Sequence, residues 1–178
     1  MVLVNNSNNV YLVGPMGVGK TTIGRALAKN LALEFVDSDQ EIEYRTGVSI
    51  MTIFDIEGDV GFRDREVQVI SEIAKRRGIV LATGGGAILR LENRRALRNS
   101  GLVIYLHATV EMQIERTQKS DSRPLLKNTN RRIVLAELML EREPLYRQEA
   151  DIVYVTDNRS PQIAAQEIAG EIHEKWQS

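Results

Sequence analysis

Val10–Leu27 reads VYLVGPMGVGKTTIGRAL. Four apolar residues, Val10 to Val13, suit a buried strand, and a helical pattern runs from Thr22 to Leu33. Between them, Gly14-Pro-Met-Gly-Val-Gly-Lys20-Thr21 matches G-x-x-x-x-G-K-[ST] in the strand-to-helix setting that a phosphate-binding loop requires. Glycines let successive backbone N–H groups turn inward with no Cβ in the way, and the helix N-terminus brings its positive end to the same place. Lys20 adds a point charge for the β and γ phosphates, and the Thr21 hydroxyl is suited to Mg²⁺. Gly17, Val18, Gly19, Lys20, Thr21 and Thr22 are therefore the candidate nucleotide-binding residues, with ATP and Mg²⁺ as the implied donor. A glycine-rich turn that binds nothing would not need the lysine and threonine.

Outward from this loop, "GIVLAT" from Gly78, "LVIYL" from Leu102, "DIVYVT" from Asp151 and, more weakly, "EFVD" at Glu34–Asp37 also read as strands. Helical patterns lie between them at Asp64–Arg77, Leu91–Asn99, Arg131–Arg147 and Pro161–Trp176. Continuously apolar strands that alternate with helices predict an α/β fold, a doubly wound five-stranded parallel sheet with helices on both faces. Ligands in such sheets bind at the carboxyl edge of the strands, so the residues just after each apolar run are candidates.

The 178 residues, 43% hydrophobic and 26% charged, suit one domain with a sizeable core, expected to span the whole chain. A formal charge of −1 leaves no global basic footprint, which argues against nucleic acid as a partner. The absence of cysteine removes disulfides, thiolate metal sites and thiol nucleophiles. The start MVLVNNSNN lacks the basic and apolar regions of a signal peptide, and no apolar run approaches membrane-spanning length; a cytoplasmic monomer with a frayed N-terminus is expected.

A phosphate-bound metal wants an acidic residue at a neighbouring strand end. Asp37 in "EFVDSD" is placed there, through water, ahead of Asp157, which leads into a turn. Asp39 is a candidate base for the attacking hydroxyl, while Ser38 or Asp39 is equally suited to cap the helix that follows. In "GFRDRE", Arg63 is read as a carboxylate ligand, and Arg65 as a solvated residue paired with Asp64, Glu66 or Asp59. "TGGGA", Thr83–Ala87, implies close approach of a ligand or of another backbone to its glycines. The polar, Pro-containing segment Thr117–Arg132 is a candidate lid carrying Arg123, and Arg142 precedes Pro144 in "EREPLYR"; both arginines are candidate clamps on charge developing during transfer. His107 and His173 have no metal-ligand spacing, Trp176 reads as packing, and Met51 and Met139 read as core.

In order along nearly the whole chain, "GPMGVGKTT", "DSD", "GFR", "TGGG", "RPLL" and "ER.PLYR" resemble the bacterial shikimate kinases. The resemblance implies a nucleoside monophosphate kinase-like P-loop fold. It also implies transfer of the ATP γ-phosphate to the 3-hydroxyl of shikimate, on the route to chorismate and the aromatic amino acids. It assigns Asp39 to the substrate hydroxyls as base, Asp37 to the metal side, Arg63 and Arg142 to the shikimate carboxylate, and Gly84, Gly85 and Gly86 to backbone contact with substrate. Arg123 falls to the phosphates, and Arg116 and Arg159 to the adenine side. The chain has Gly58-Asp59 where the family often has Gly-Glu. Three other readings remain open on the sequence: a gluconate kinase, a nucleoside monophosphate kinase, and a slow ATP-dependent switch that reports to a protein partner.

Overall fold

In a computed structural model, which describes residues 8–118 and 130–177, five strands pair in parallel in the order β2-β3-β1-β4-β5. They are β1 (Val10–Val13), β2 (Glu34–Asp37), β3 (Ile79–Ala82), β4 (Leu102–His107) and β5 (Ile152–Val155). β1 lies at the centre, with Leu12 opposite Ala82 of β3 on one side and Ile104 of β4 on the other. All five expected strands form, each within a residue of its apolar run.

Successive side chains on a strand point to opposite faces, and here both faces are covered. Val10, Leu12, Ile104 and Leu106 pack with Ile23 and Leu27 of α1 (Lys20–Leu31) and with Ile168 and Ile172 of α7 (Pro161–Gln177). Tyr11, Val13, Val103 and Tyr105 face Ile42 of α2 (Ser38–Thr46), Ile70 and Ile73 of α3 (Ile50–Ile73), Leu97 of α4 (Leu91–Ser100), and Tyr146. Tyr146 lies on the helix after α5 (Val110–Thr117), namely α6 (Arg131–Glu149). Double coverage is why β1, β3 and β4 read as unbroken apolar runs, whereas alternate residues of the edge strand β5 are exposed.

The helices depart from the sequence expectation where local chemistry overrides periodicity. The helix expected at Asp64–Arg77 begins at Ile50, because the Ser49 side chain accepts from Thr52 N–H and caps it, and it ends at Ile73. Gly58, at φ 70°, interrupts it, a conformation that costs glycine little. Thr109 caps α5, eight residues that the periodicity did not single out. Pro144 sits inside α6; the carbonyl it leaves without a helical donor belongs to Leu140, an exposed position open to water.

Of the expected lid, residues 119–129, Arg123 among them, lie outside the described residues; Thr117 ends α5, and Arg131 and Arg132 open α6. Among the described residues no helix is long and apolar enough to cross a membrane.

Candidate active site

The loop after β1 turns on Gly14, Gly17 and Gly19, whose φ angles of 146°, 76° and 97° favour glycine. A Cβ on Gly14 would lie 2.4 Å from the Leu106 carbonyl oxygen, so the loop and β4 approach closely. Gly19 caps α1 with no side chain, which leaves the first amides of the helix facing the cleft. Lys20 Nζ donates to the Gly14 and Pro15 carbonyls at 2.8 Å, folded back along its own loop. Thr21 Oγ1 donates to Asp37 Oδ2 at 2.8 Å. Arg116 donates to Val18 O at 3.3 Å and to Asp157 O at 2.8 Å, tying the loop to the end of β5. Arg159 pairs with Asp157 and Glu167 at 2.7 Å, and its guanidinium holds the Asp157 carboxyl below its ordinary range. Of these, Gly17, Val18, Gly19, Lys20, Thr21, Asp37, Arg116 and Arg159 line a cleft of about 570 Å³. Asp157 and Asn158 also line it, although the sequence had favoured Asp37 over Asp157 only for the metal.

A second cleft, of about 580 Å³, opens beside it, lined by α2, α3, the glycine turn after β3, and α6. Arg63, 5% exposed, donates from Nη1 to Glu66 Oε2 at 2.7 Å, lies 3.4 Å from Asp59 at Nε, and sits 5.0 Å from the Phe62 ring. Its guanidinium occupies the space a Cβ on Gly86 would need, with Nη2 at 2.2 Å from that point. The glycine run is thus approached by side chains. A Cβ on Gly84 would meet Glu66 Oε1 at 2.8 Å and Asp39 Oδ1 at 2.9 Å, so two carboxylates face each other across that residue. Glu66 is fully buried, its Oε1 has no hydrogen-bond partner among the described residues, and burial pushes its carboxyl up to about 7 against the lowering pull of Arg63. Arg142 reaches in from α6, buried, with Nη1 3.7 Å from the Cβ position of Gly85.

The two clefts share a wall made of Asp37, Asp39, Gly84 and Gly85. Several expectations are corrected here. The cap of α2 is Asp37, whose Oδ1 accepts from Asp39 and Gln40 N–H, and neither Ser38 nor Asp39. Ser38 instead turns inward, fully buried, and accepts from Gly84 N–H at 3.1 Å. Arg65 pairs with Glu57 across the Gly58 break at 2.6 Å, because the break folds the helix back toward it. Met51 is half-buried and lines the second cleft with Phe54, and Met139 is only half-buried. Trp176 packs against the core as expected. Sequence reasoning did not single out Ser38, Glu66 or Tyr146 for the site. Glu66 carried the clearest signal, since three residues after Arg63 places it on the same helix face.

A phosphate loop joined by a shared wall to a pocket of buried arginines and carboxylates defines a P-loop kinase for a small anionic acceptor. Residues 16–175 match the shikimate kinase family, and the chain belongs to it. It is 54% identical over 166 residues to a shikimate kinase of Pseudomonas syringae pv. tomato, covering 93% of this chain and 96% of that one. With one of Pseudomonas aeruginosa it shares 55% over 160 residues, covering 90% and 93%. Among solved structures it resembles the shikimate kinase from Acinetobacter baumannii in complex with shikimate, with TM-score 0.93, 47% identity and 96% of each chain covered. The shikimate kinase from Aquifex aeolicus matches with TM-score 0.81 and 30% identity, covering 94% of this chain and 97% of that one.

Proposed function

We propose that this chain transfers the γ-phosphoryl group of ATP to the 3-hydroxyl of shikimate, giving shikimate 3-phosphate and ADP on the route to chorismate. The observation that carries the reading is the shared wall: a donor cleft and an acceptor cleft meet where Asp37, Asp39, Gly84 and Gly85 line both. A group held in one is in reach of a group held in the other.

In this reading the backbone amides of Gly17–Thr22 and Lys20 hold the phosphates, with Arg116 and Arg159 toward the base; Arg123, outside the described residues, is kept as a phosphate ligand on the sequence reading and the family resemblance. Arg63 and Arg142 take the acceptor carboxylate, and the glycine turn takes its ring. Asp39 accepts the proton of the attacking hydroxyl as the new O–P bond forms and the bond to the ADP oxygen breaks. Positioning and charge neutralisation supply most of the acceleration, because a phosphoryl transition state needs little covalent help.

Mg²⁺ prefers a few hard oxygen donors and keeps several waters. Thr21 Oγ1 and Asp37, 2.8 Å apart beside the phosphate loop, fit that demand, and no cluster of three or more ligating side chains occurs among the described residues. Thr21 and, through water, Asp37 would hold the ion, which when bound neutralises charge on the phosphates. The same reading takes the enzyme as a monomer of one domain acting in the cytoplasm, where ATP is supplied.

The test is ADP release from Mg-ATP with shikimate, with gluconate and with no acceptor. Release that depends on shikimate is expected. Release with gluconate alone would overturn the acceptor, and release indifferent to both acids would overturn the kinase reading.

A further inference from the structure

The Tyr146 side chain leaves α6 one turn after Arg142, on the same face, and its ring is buried and stacked on Tyr105 with centroids 5.0 Å apart. Its hydroxyl donates to the Gly85 carbonyl at 2.5 Å, and the Arg142 guanidinium acts on the phenol electrostatically. Arg142 in turn lies over Gly85. One phenol is therefore anchored on the turn after β3 beside Arg142 of the helix after β4, the two groups that reach the acceptor. The glycine turn is held at a second point by Ser38, on Gly84 N–H.

We propose that Tyr146 is a positioning residue for acceptor binding, its hydroxyl fixing the Gly85 turn and the Arg142 guanidinium in register with each other. Gly85 can rotate freely and Arg142 is long, so neither holds its place alone. A hydroxyl anchored on the turn beside Arg142 limits that freedom before the acceptor arrives, which lowers the ordering cost of binding. Burial raises the Tyr146 phenol well above its ordinary value, so it remains a donor at working pH. The inference rests on the reading of Arg142 and Gly85 as acceptor ligands.

Tyr146→Phe keeps the stacked ring and deletes only the hydroxyl. Losing a buried hydrogen bond should raise the shikimate KM roughly three- to tenfold. The ATP KM should stay unchanged and the melting temperature should move by no more than a few degrees. Tyr105→Phe serves as control, since the Tyr105 hydroxyl has no hydrogen-bond partner among the described residues, and it should leave both KM values alone. In an Arg142→Ala background the Tyr146→Phe effect should shrink, because half of what the hydroxyl organises is gone. An unchanged shikimate KM in Tyr146→Phe, or equal rises in both KM values with a falling melting temperature, overturns the inference. If Arg142→Ala alone leaves the shikimate KM unchanged, the assignment of Arg142 fails and this inference with it. If Arg142→Ala raises it and Tyr146→Phe does not, only the inference fails.

Discussion

Along the donor cleft the longest contiguous contribution is Gly17 to Ile23, completed by the ends of β2, β3 and β5 and by Arg116, whereas the acceptor cleft draws on α2, both parts of α3, the glycine turn and α6. The donor side presents mostly backbone, shaped by positive-φ glycines and one helix N-terminus. The acceptor side presents groups held by other residues of the site: Arg63 by Glu66, and the glycine turn by Ser38 and Tyr146. A ligand with invariant phosphates can be met by a rigid, contiguous loop. An acceptor recognised by its own carboxylate and hydroxyls needs charges brought from several elements and buried, each with a partner to offset desolvation.

The contrast makes separable predictions. The largest kinetic effect belongs to the donor side: Lys20→Ala should lower kcat/KM by on the order of a hundred- to a thousandfold through lost stabilisation of the transferring phosphate. Shikimate binding, followed by calorimetry without nucleotide, should survive; a parallel loss would mean that the clefts are not independent. Next comes Gly86→Ala. At φ −92° the backbone accepts alanine, but the new methyl would enter the Arg63 guanidinium. Displacing one charged hydrogen-bond donor should raise the shikimate KM by about tenfold with the ATP KM unchanged. An unaltered shikimate KM would take Arg63 out of the acceptor site.

The smallest effect is one of pH. The Glu66 carboxyl is raised from 4.5 to about 7, so between those values the folded chain binds a proton that the unfolded chain has lost. Its contribution to stability is therefore full below about pH 4.5 and disappears as pH rises through 7, at most about 3 kcal/mol. Glu66→Gln removes this slope, so the variant should gain stability relative to the parent between pH 5 and pH 8 in thermal melts. A difference that is the same at both pH values would mean that Glu66 stays ionised throughout.

The same contrast explains what could be read from the chain. The central strands were legible because burial on both faces leaves unbroken apolar runs, and the donor loop because its chemistry is local in sequence. Arg63 and Arg142 were reachable as candidates, but their partners were not. Glu66 looks in sequence like one acid among several near Arg63, and only the packing of α3 against the glycine turn shows that it is buried. Ser38 passes for a helix cap until Asp37 is seen in that role. Tyr146 carries no signal of its own in the sequence; its hydroxyl matters because α6 lays it on Gly85, 61 residues away in the chain. Met51 carries a core residue's chemistry but lines a cleft because the break at Gly58 leaves the first part of α3 standing beside it.

The shared wall is the centre of this account, and Asp39→Asn probes it most directly. The substitution keeps the shape of the side chain and removes its charge. With ATP and shikimate titrated separately by calorimetry, both should still bind, while kcat for shikimate phosphorylation falls at least about a hundredfold. Turnover retained at the parent rate would contradict the role of Asp39 as base and, with it, the claim that the phosphoryl group crosses at this wall.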